Sequence, residues 1–288
     1  MTSSCSPEKV SAGPGASAVS KDAGLAALRR HIAVLEQRSP GPANPVDLPR
    51  PWRIGVAALD GALPADRGPE PASAGLALGG VHEAAGASPA DRPAALAFLA
   101  ALLARLGRHG PVAVCQGPGS IARLGRLYGP GWRDLGADPA DLVIVETRHE
   151  RDALWAMEES LRSGAAVAVL GETEQLAFVA SRRLALAARE SGTPLLLLRG
   201  DGLAPASAAL SRWRVAAWPG SASPFDEAAP GLPRWRLELT RCRGGRPVTC
   251  IVEWNRETGH FDMATALADR PAASRTAVRR PALERAAG

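Results

Sequence analysis

Hydrophobic and polar positions follow two different patterns along the chain, and the change comes near residue 210. From residue 76 to about 200, short apolar runs alternate with longer segments whose apolar positions recur at helical spacing. This alternation predicts an α/β fold, in which parallel strands form one sheet with helices on both faces. The predicted strands are Ala77–Glu83, Val112–Gln116, Leu142–Glu146, Ala166–Leu170 and Leu195–Arg199, and the predicted helices span 90–107, 119–128, 149–163 and 173–190.

After residue 210 the apolar positions alternate with period 2, which is typical of strands with one buried face. The pattern predicts strands at Arg212–Trp218, Arg234–Cys242 and Val248–Trp254. The last two are separated by Arg-Gly-Gly-Arg-Pro at 243–247, a composition that favours a hairpin loop. We therefore expect an antiparallel extension from residue 211 on a core that spans 76–262.

The N-terminal region carries one helical pattern between two segments without periodicity. Residues 1–21 are small and polar, and we expect them to be disordered. Residues 39–75 are rich in Pro and Gly and predict an extended connector with short ordered pieces. Between them, 22–38 predicts an amphipathic helix that packs on its own domain or docks on another subunit or partner. Its apolar stripe consists of Leu25, Leu28, Ile32 and Leu35.

Composition excludes several classes of protein. The chain has 288 residues, of which 46% are hydrophobic, an ordinary share for a globular protein. No apolar run approaches the roughly 20 residues that cross a bilayer, and no N-terminal stretch resembles a secretion signal, so we expect a cytoplasmic protein with no membrane partner. Four scattered cysteines and five scattered histidines show no metal-binding spacing, and no motif points to a catalytic nucleophile.

The distribution of positive charge is uneven. Lysine occurs only at Lys9 and Lys21, so the other basic residues are arginines, and no primary amine follows residue 21 to grip a phosphate. Residues 263–288 predict a flexible tail, and its last nineteen residues hold five arginines against one acid. A basic tail of this kind is either solvated or docks on DNA or a protein partner, and we favour the partner. Its arginines include Arg275, Arg279, Arg280 and Arg285.

The turn after the first core strand lies where many α/β proteins cradle a phosphate. A working phosphate loop needs a Gly, four residues, and then Gly-Lys-Ser/Thr. Gly86 suits the first position, but Asp91, Arg92 and Pro93 fill the last three. A carboxylate, a bulky planar cation and an imino acid replace the glycine, the ammonium group and the magnesium-binding hydroxyl.

We therefore interpret this turn as a strand-to-helix connection capped by Ser88 or Asp91, with Pro93 in the first helical turn. No cofactor is expected there, and ATP binding through Gly86, Ser88, Asp91 and Arg92 is the less favoured hypothesis. Glu172 and Glu174 follow another strand, where nucleotide-hydrolysing enzymes place magnesium ligands. Without a lysine or hydroxyl opposite them, we interpret both as helix N-terminal acids.

Three groups of residues carry a family resemblance. The first runs from Ile54-Gly-Val through Leu59-Asp-Gly and Gly79-Gly-Val-His-Glu to Gly86. The second, Asp-Ala-Leu-Trp-Ala-Met-Glu-Glu at 152–159, and the third, the paired Arg-Trp-Arg strands at 212–214 and 234–236, are the most specific. Together they resemble the ImuA family, the RecA-like members of the bacterial ImuA/ImuB mutagenesis cassette. The resemblance covers about residues 22–262.

The resemblance implies a RecA-like core and a DNA-damage-inducible accessory role in error-prone translesion synthesis. The implied partners are ImuB, an inactive relative of Y-family polymerases, and a DnaE-type error-prone polymerase, with RecA and single-stranded DNA as further candidates. The protein would act at the nucleoid after DNA damage, without turnover of its own. A DNA-dependent ATPase with an atypical loop and a regulator that mimics a RecA protomer remain competing hypotheses.

The Arg-Trp-Arg strands place tryptophan on one face and arginine on the other. From 212 to 256 there are eight arginines and four acids. The arginines either face water or form a basic surface for DNA phosphates or an acidic partner. The residues of that candidate surface are Arg212, Arg214, Arg234, Arg236, Arg241, Arg243 and Arg246.

Overall fold

A computed structural model describes residues 52–64, 74–106, 109–200, 206–220 and 231–264. The predicted segments 1–21 and 22–38 lie outside the described residues, as does most of the connector and of the basic tail. The residues of those predictions that fall outside are Leu25, Leu28, Ile32, Leu35, Arg275, Arg279, Arg280 and Arg285.

Nine strands form one mixed sheet. In spatial order it runs β3-β2-β4-β5-β1-β6-β7-β8-β9; the first six strands pair in parallel and the last three pair antiparallel. The predicted α/β class, with a mostly parallel sheet and an antiparallel extension, is thereby confirmed. The strands are β1 Val81–Gly86, β2 Val112–Gln116, β3 Leu142–Glu146, β4 Ala168–Thr173, β5 Leu195–Arg199, β6 Ser211–Trp218, β7 Arg234–Cys242, β8 Val248–Asn255 and β9 His260–Met263.

Helices cover both faces of the sheet, as the continuous apolar strands require. One long helix packs on the first face with the aromatic residues of the antiparallel strands, and two long helices cover the second face. In chain order the helices are α1 Ala57–Asp60, α2 Arg92–Ala104, α3 Pro118–Leu124, α4 Gly129–Asp134, α5 Glu150–Ser163 and α6 Phe178–Ser191, with 3₁₀ turns at Pro89–Asp91 and Pro139–Asp141.

The antiparallel extension shares its core with α2. The tryptophans of the two Arg-Trp-Arg strands point inward: Trp213 has no exposed surface and Trp235 is 3% exposed. The ring of Phe98 in α2 packs at a tilt against Trp213, with ring centroids 5.5 Å apart, and against Phe261 of β9 at 6.0 Å. Because α2 packs against β1 and β6 and its Phe98 also reaches Phe261 of β9, the two parts of the sheet share one core.

Residues 52–64 fold onto this core as one of the short ordered pieces expected in the connector. Trp52 is buried and its indole N–H donates to the carbonyl of Leu102 at 3.1 Å. The Asp60 carboxylate accepts hydrogen bonds from the backbone N–H groups of Ile54, at 2.8 Å, and Gly55, at 3.0 Å. These bonds close the segment into a loop whose apolar side chains face α2.

Several element bounds differ from the predicted ones. The first strand begins at Val81 rather than Ala77, and the fourth continues through Glu172 and Thr173 rather than ending at Leu170. The sixth helix begins at Phe178, five residues later than predicted. The short elements α4 and β9 had no predicted counterpart, since neither spans enough residues to show a period.

His82 of β1 is a buried neutral imidazole. Its Nε2 lies 2.9 Å from the carbonyl of Ala77 and its Nδ1 lies 2.7 Å from the Ser211 hydroxyl, which also accepts the Trp213 indole N–H. Burial lowers the pKa of His82 to about 4, although the hydrogen bond to Ala77 opposes the shift. The charged imidazolium is therefore disfavoured in the folded protein.

This shift predicts acid sensitivity. Between the unfolded pKa of 6.5 and the folded value near 4, the unfolded chain binds the proton and the folded chain does not, so stability falls as the pH falls. From pH 7 to pH 4 we expect wild type to lose about 3 kcal/mol more unfolding free energy than H82Q. Urea unfolding of both proteins at pH 7 and pH 4 measures this difference. Equal losses in wild type and H82Q would contradict the assignment of His82 as a neutral imidazole.

Among the described ranges, none of the helices is long and apolar enough to cross a membrane.

Candidate functional site at the carboxyl edge of the sheet

The carboxyl ends of β1, β2 and β4 meet at one edge of the sheet. The loop after β1 leads to α2 on the first face, whereas the segment after β4 leads to α6 on the second face. Connections that leave in opposite directions open a crevice at this edge, which is where open α/β sheets bind ligands. The crevice brings together the loop at 86–92 and the acids after β4.

The loop at 86–92 is closed by its own side chains. The Asp91 carboxylate accepts hydrogen bonds from the backbone N–H of Ser88 at 3.1 Å and from the Ser88 hydroxyl at 2.7 Å. Its other oxygen accepts the backbone N–H of Ala217 in β6 at 2.9 Å. Burial alone would raise the pKa of Asp91, but these hydrogen bonds lower it and keep the carboxylate charged. The predicted capped turn is confirmed, with Pro93 in the first turn of α2.

The backbone N–H groups of this loop are already used. Ala87 donates to Val215, Ser88 to the Asp91 side chain, Asp91 to the carbonyl of Ser88, and Arg92 to the carbonyl of Pro89. Pro89 and Pro93 have no N–H to offer. Among the seven residues 87–93, Ala90 thus has the one N–H group that is left for a ligand. A phosphate cradle needs several convergent donors.

Gly86 is required by close packing inside the loop. A Cβ atom at this position would lie 2.5 Å from the carbonyl oxygen of Ser88 and 2.8 Å from the backbone nitrogen of Arg92. Any larger residue would force the loop open. The first glycine of the degenerate motif therefore serves the tight closure of the turn.

Arg92 reaches across the crevice to the acids after β4. Its side chain is 5% exposed, and a guanidinium nitrogen lies 2.6 Å from a carboxylate oxygen of Glu174. The other terminal nitrogen lies 3.9 Å from Glu172 and 3.5 Å from the Ser120 hydroxyl at the start of α3. Arg123 of α3 lies 3.6 Å from the other oxygen of Glu174. The cation that stands at the lysine position of a phosphate loop is thus held in an internal ion pair.

Glu172 is the deepest member of this ion-pair network. It has no exposed surface, and one of its oxygens accepts the side-chain amide of Gln116, at the end of β2, at 2.9 Å. Burial raises the pKa of Glu172, while hydrogen bonds from Ser120 and Gln116 and the charge of Arg92 oppose the shift. Arg92 therefore stabilises a carboxylate that burial disfavours.

The interpretation of Glu172 and Glu174 as helix N-terminal acids is wrong. Glu172 lies inside β4 and Glu174 lies four residues before α6 begins. An acid ahead of an apolar-periodic segment resembles a helix cap in the sequence, but here the strand continues and the acids bind Arg92. The sequence did contain a signal, since two adjacent strands carry a long polar side chain at or next to their last residue, Gln116 in β2 and Glu172 in β4.

A second buried ion pair joins β1 to β6. Glu83 accepts hydrogen bonds from Arg212 at 3.1 Å and from the Ser207 hydroxyl at 2.6 Å. Arg212 is 7% exposed, which corrects its assignment to a basic surface. As expected, the arginine lies on the opposite face of the strand from the tryptophan. At Arg212, however, that face of the sheet is covered, and the ion pair with the buried Glu83 explains why an arginine is buried there.

The other arginines of the candidate basic surface are exposed to different degrees. Arg234 is half-buried in an ion pair with Glu253 on β8, and Arg214 lies 3.9 Å from Glu238. The hairpin tip does not project, because the backbone N–H of Arg246 donates to the carbonyl of Ala62. The exposed members without an ion pair to another described residue are Arg236, Arg241, Arg243 and Arg246.

Within the described ranges, no group of three or more His, Cys, Asp or Glu side chains is arranged to hold a metal ion. Cys115, Cys242 and Cys250 are free thiols, and burial raises the pKa of Cys115 to about 12.

These features define a mostly parallel α/β protein whose loop at the nucleotide position is closed by Asp91 and Arg92. No protein-family model matches the chain. Two curated relatives named Protein ImuA, from two strains of Caulobacter vibrioides, are each 36% identical to it over 244 residues, which is 79% of this chain and 94% of theirs. The chain belongs to the ImuA family.

Among solved structures, SulA from Pseudomonas aeruginosa matches 41% of this chain and 96% of its own length, with 20% sequence identity and a TM-score of 0.34. Family membership, rather than this partial likeness, supports a role in the ImuA/ImuB mutagenesis system and a DNA-damage context.

Proposed function

We propose that this chain is a non-catalytic accessory protein of error-prone translesion synthesis, which bridges an ImuB-type inactive polymerase relative and a DnaE-type polymerase. Membership of the ImuA family supports the mutagenesis context of the proposal. The fold and its crevice would then act as a scaffold rather than as a motor.

The observation that carries the non-catalytic part is the ion pair between Arg92 and Glu174, with Glu172 beside it. Nucleotide hydrolysis in this fold class needs a free cation for the phosphates and a free carboxylate for magnesium. In this chain the cation and the acids neutralise one another inside the crevice. A nucleotide would have to break that pair and reopen the loop closed by Asp91.

ATP turnover tests this part of the proposal. We expect no hydrolysis above the buffer rate at millimolar ATP and magnesium, with or without single-stranded DNA. Any turnover is compared among wild type, R92A, E172Q and the exposed control R126A. The activity of a contaminating ATPase would be the same in all four preparations, because it does not depend on substitutions in this chain. Hydrolysis that persists in wild type and R126A but falls in R92A and E172Q would contradict the proposal.

Complex formation tests the bridging part. We expect the ImuB-type and DnaE-type polymerases to elute as one complex in size-exclusion chromatography when this chain is present, and as separate species when it is absent. Wild type is compared with a chain that lacks the predicted helix at 22–38 and with one that lacks 265–288, the part of the predicted tail at 263–288 that follows β9. Association of the two polymerases that does not depend on this chain would rule out a bridge.

A further inference from the structure

A groove of about 920 Å³ runs beside α6, outside the crevice described above. Its wall is an apolar stripe that α6 turns toward water: Phe178 is 49% exposed, Val179 70% and Leu186 55%. The opposite side of α6 is buried, with Leu184, Ala187 and Ala188 in the core. The helix is therefore apolar on two sides, of which the fold of the described residues covers one.

The floor of the groove is built from small residues where β1 begins. Gly79 packs against the end of α6, since a Cβ there would lie 3.3 Å from the carbonyl oxygen of Ala188. At Gly80 a Cβ would lie 2.3 Å from the side chain of Leu210, so the leucine fills the space that a side chain would occupy. The floor is thus closed by small residues and by Leu210.

The rim of the groove is positively charged. Arg182 and Arg189 of α6 and Arg243 of the β7–β8 loop line it and are exposed. Among the described residues no carboxylate pairs with these three guanidinium groups, whereas neighbouring Arg183 is paired with Glu158. The described residues that line the groove include no acidic residue. A surface that combines apolar area with unneutralised arginines complements an acidic, amphipathic partner.

The spacing on α6 indicates the form of that partner. Val179 and Leu186 are seven residues apart, as are Arg182 and Arg189, so apolar and cationic positions repeat every two turns, about 10.5 Å. A helix packed alongside repeats its own positions over the same distance. We infer that the groove beside α6 binds an acidic amphipathic helix of a partner protein, with apolar side chains against Val179 and Leu186 and carboxylates against Arg182, Arg189 and Arg243.

The test rests on the proposed function, because the probe is an array of overlapping 16-residue peptides that covers the ImuB-type and DnaE-type polymerases. Binding is measured by fluorescence anisotropy to wild type, to the groove variants R182E/R189E and L186D, and to the matched control R133E/R148E. The control changes the same number of exposed arginines away from the groove. A 20-nucleotide oligothymidylate serves as a nucleic-acid probe.

We expect acidic amphipathic peptides to bind wild type and the control alike and to lose at least tenfold in affinity for both groove variants. Peptide binding that is equal in all variants, or oligothymidylate binding that alone depends on the groove, would overturn the inference and leave the proposed function standing. If the full-length polymerases bind the chain but none of the peptides does, the inference also fails, while the proposed function stands. If neither polymerase binds the full chain, both the inference and the proposed bridging fail.

Discussion

Replacement of Arg92 by alanine is expected to lower the free energy of unfolding by about 3–5 kcal/mol, measured by urea denaturation at pH 7.5. The guanidinium is almost fully buried and faces Glu174 and Glu172, so its removal leaves two carboxylates in the crevice without their main counter-charge. The matched control is R126A, because Arg126 pairs with Glu146 at 3.0 Å but is 77% exposed. That exposed pair contributes about 0–1 kcal/mol.

The pH dependence of R92A separates a lost ion pair from lost packing. Without the charge of Arg92, the pKa of Glu172, which burial already raises, moves further in the same direction. At Glu172 the folded variant then binds a proton more readily than the unfolded chain, so the contribution of this group to stability is greater at low pH and falls as the pH rises. We expect the deficit of R92A relative to wild type to be smaller at pH 5 than at pH 8. A deficit that does not change with pH would indicate a packing defect instead.

Replacement of Trp213 by alanine is expected to lower the free energy of unfolding by about 3–5 kcal/mol. Trp213 has no exposed surface, packs against the tilted ring of Phe98 in α2 and donates its indole N–H to the Ser211 hydroxyl at 2.9 Å. The substitution leaves a cavity at the junction between the parallel and antiparallel parts of the sheet, where neighbouring strands cannot close in. Thermal or urea unfolding measures the loss.

Trp218 provides the control for that experiment, since it belongs to the same strand but is 43% exposed. We expect W218A to change stability by less than about 1 kcal/mol. Equal losses in W213A and W218A would contradict the assignment of the core to the Trp213 face of β6.

The parallel core was predictable because its strands are continuously apolar. Val112–Gln116, Leu142–Glu146 and Leu195–Arg199 have the predicted bounds. The composition of a short apolar run bounded by loop residues reveals a strand whether the run is buried, as in Leu195–Arg199, or lies partly exposed at the sheet edge, as in Leu142–Glu146. The beginning of β1 was placed too early because Gly79 and Gly80 continue an apolar stretch, although they pack against α6 and Leu210 before the strand begins.

The candidate site was only half predictable. The sequence shows which residues are missing from the phosphate loop, because that judgement needs only the identities at positions 86–93. It does not show that Arg92 binds Glu174, which is 82 positions away in the chain, since a long-range ion pair leaves no periodic pattern. Arg212 was misassigned for the same reason: strand alternation gives the face of a residue, but its partner Glu83 determines whether that face is covered.

The loop at 86–92 is held closed by several separate contacts, and all of them would have to change before it could open. A lysine at position 92 would still face Glu174, Asp91 would still tie Ser88 to Ala217, and two prolines would still lack donors. No single substitution therefore converts this loop into an open phosphate cradle. To reopen the loop, the contact of Asp91 with β6 and the ion pair of Arg92 with Glu174 would both have to be removed.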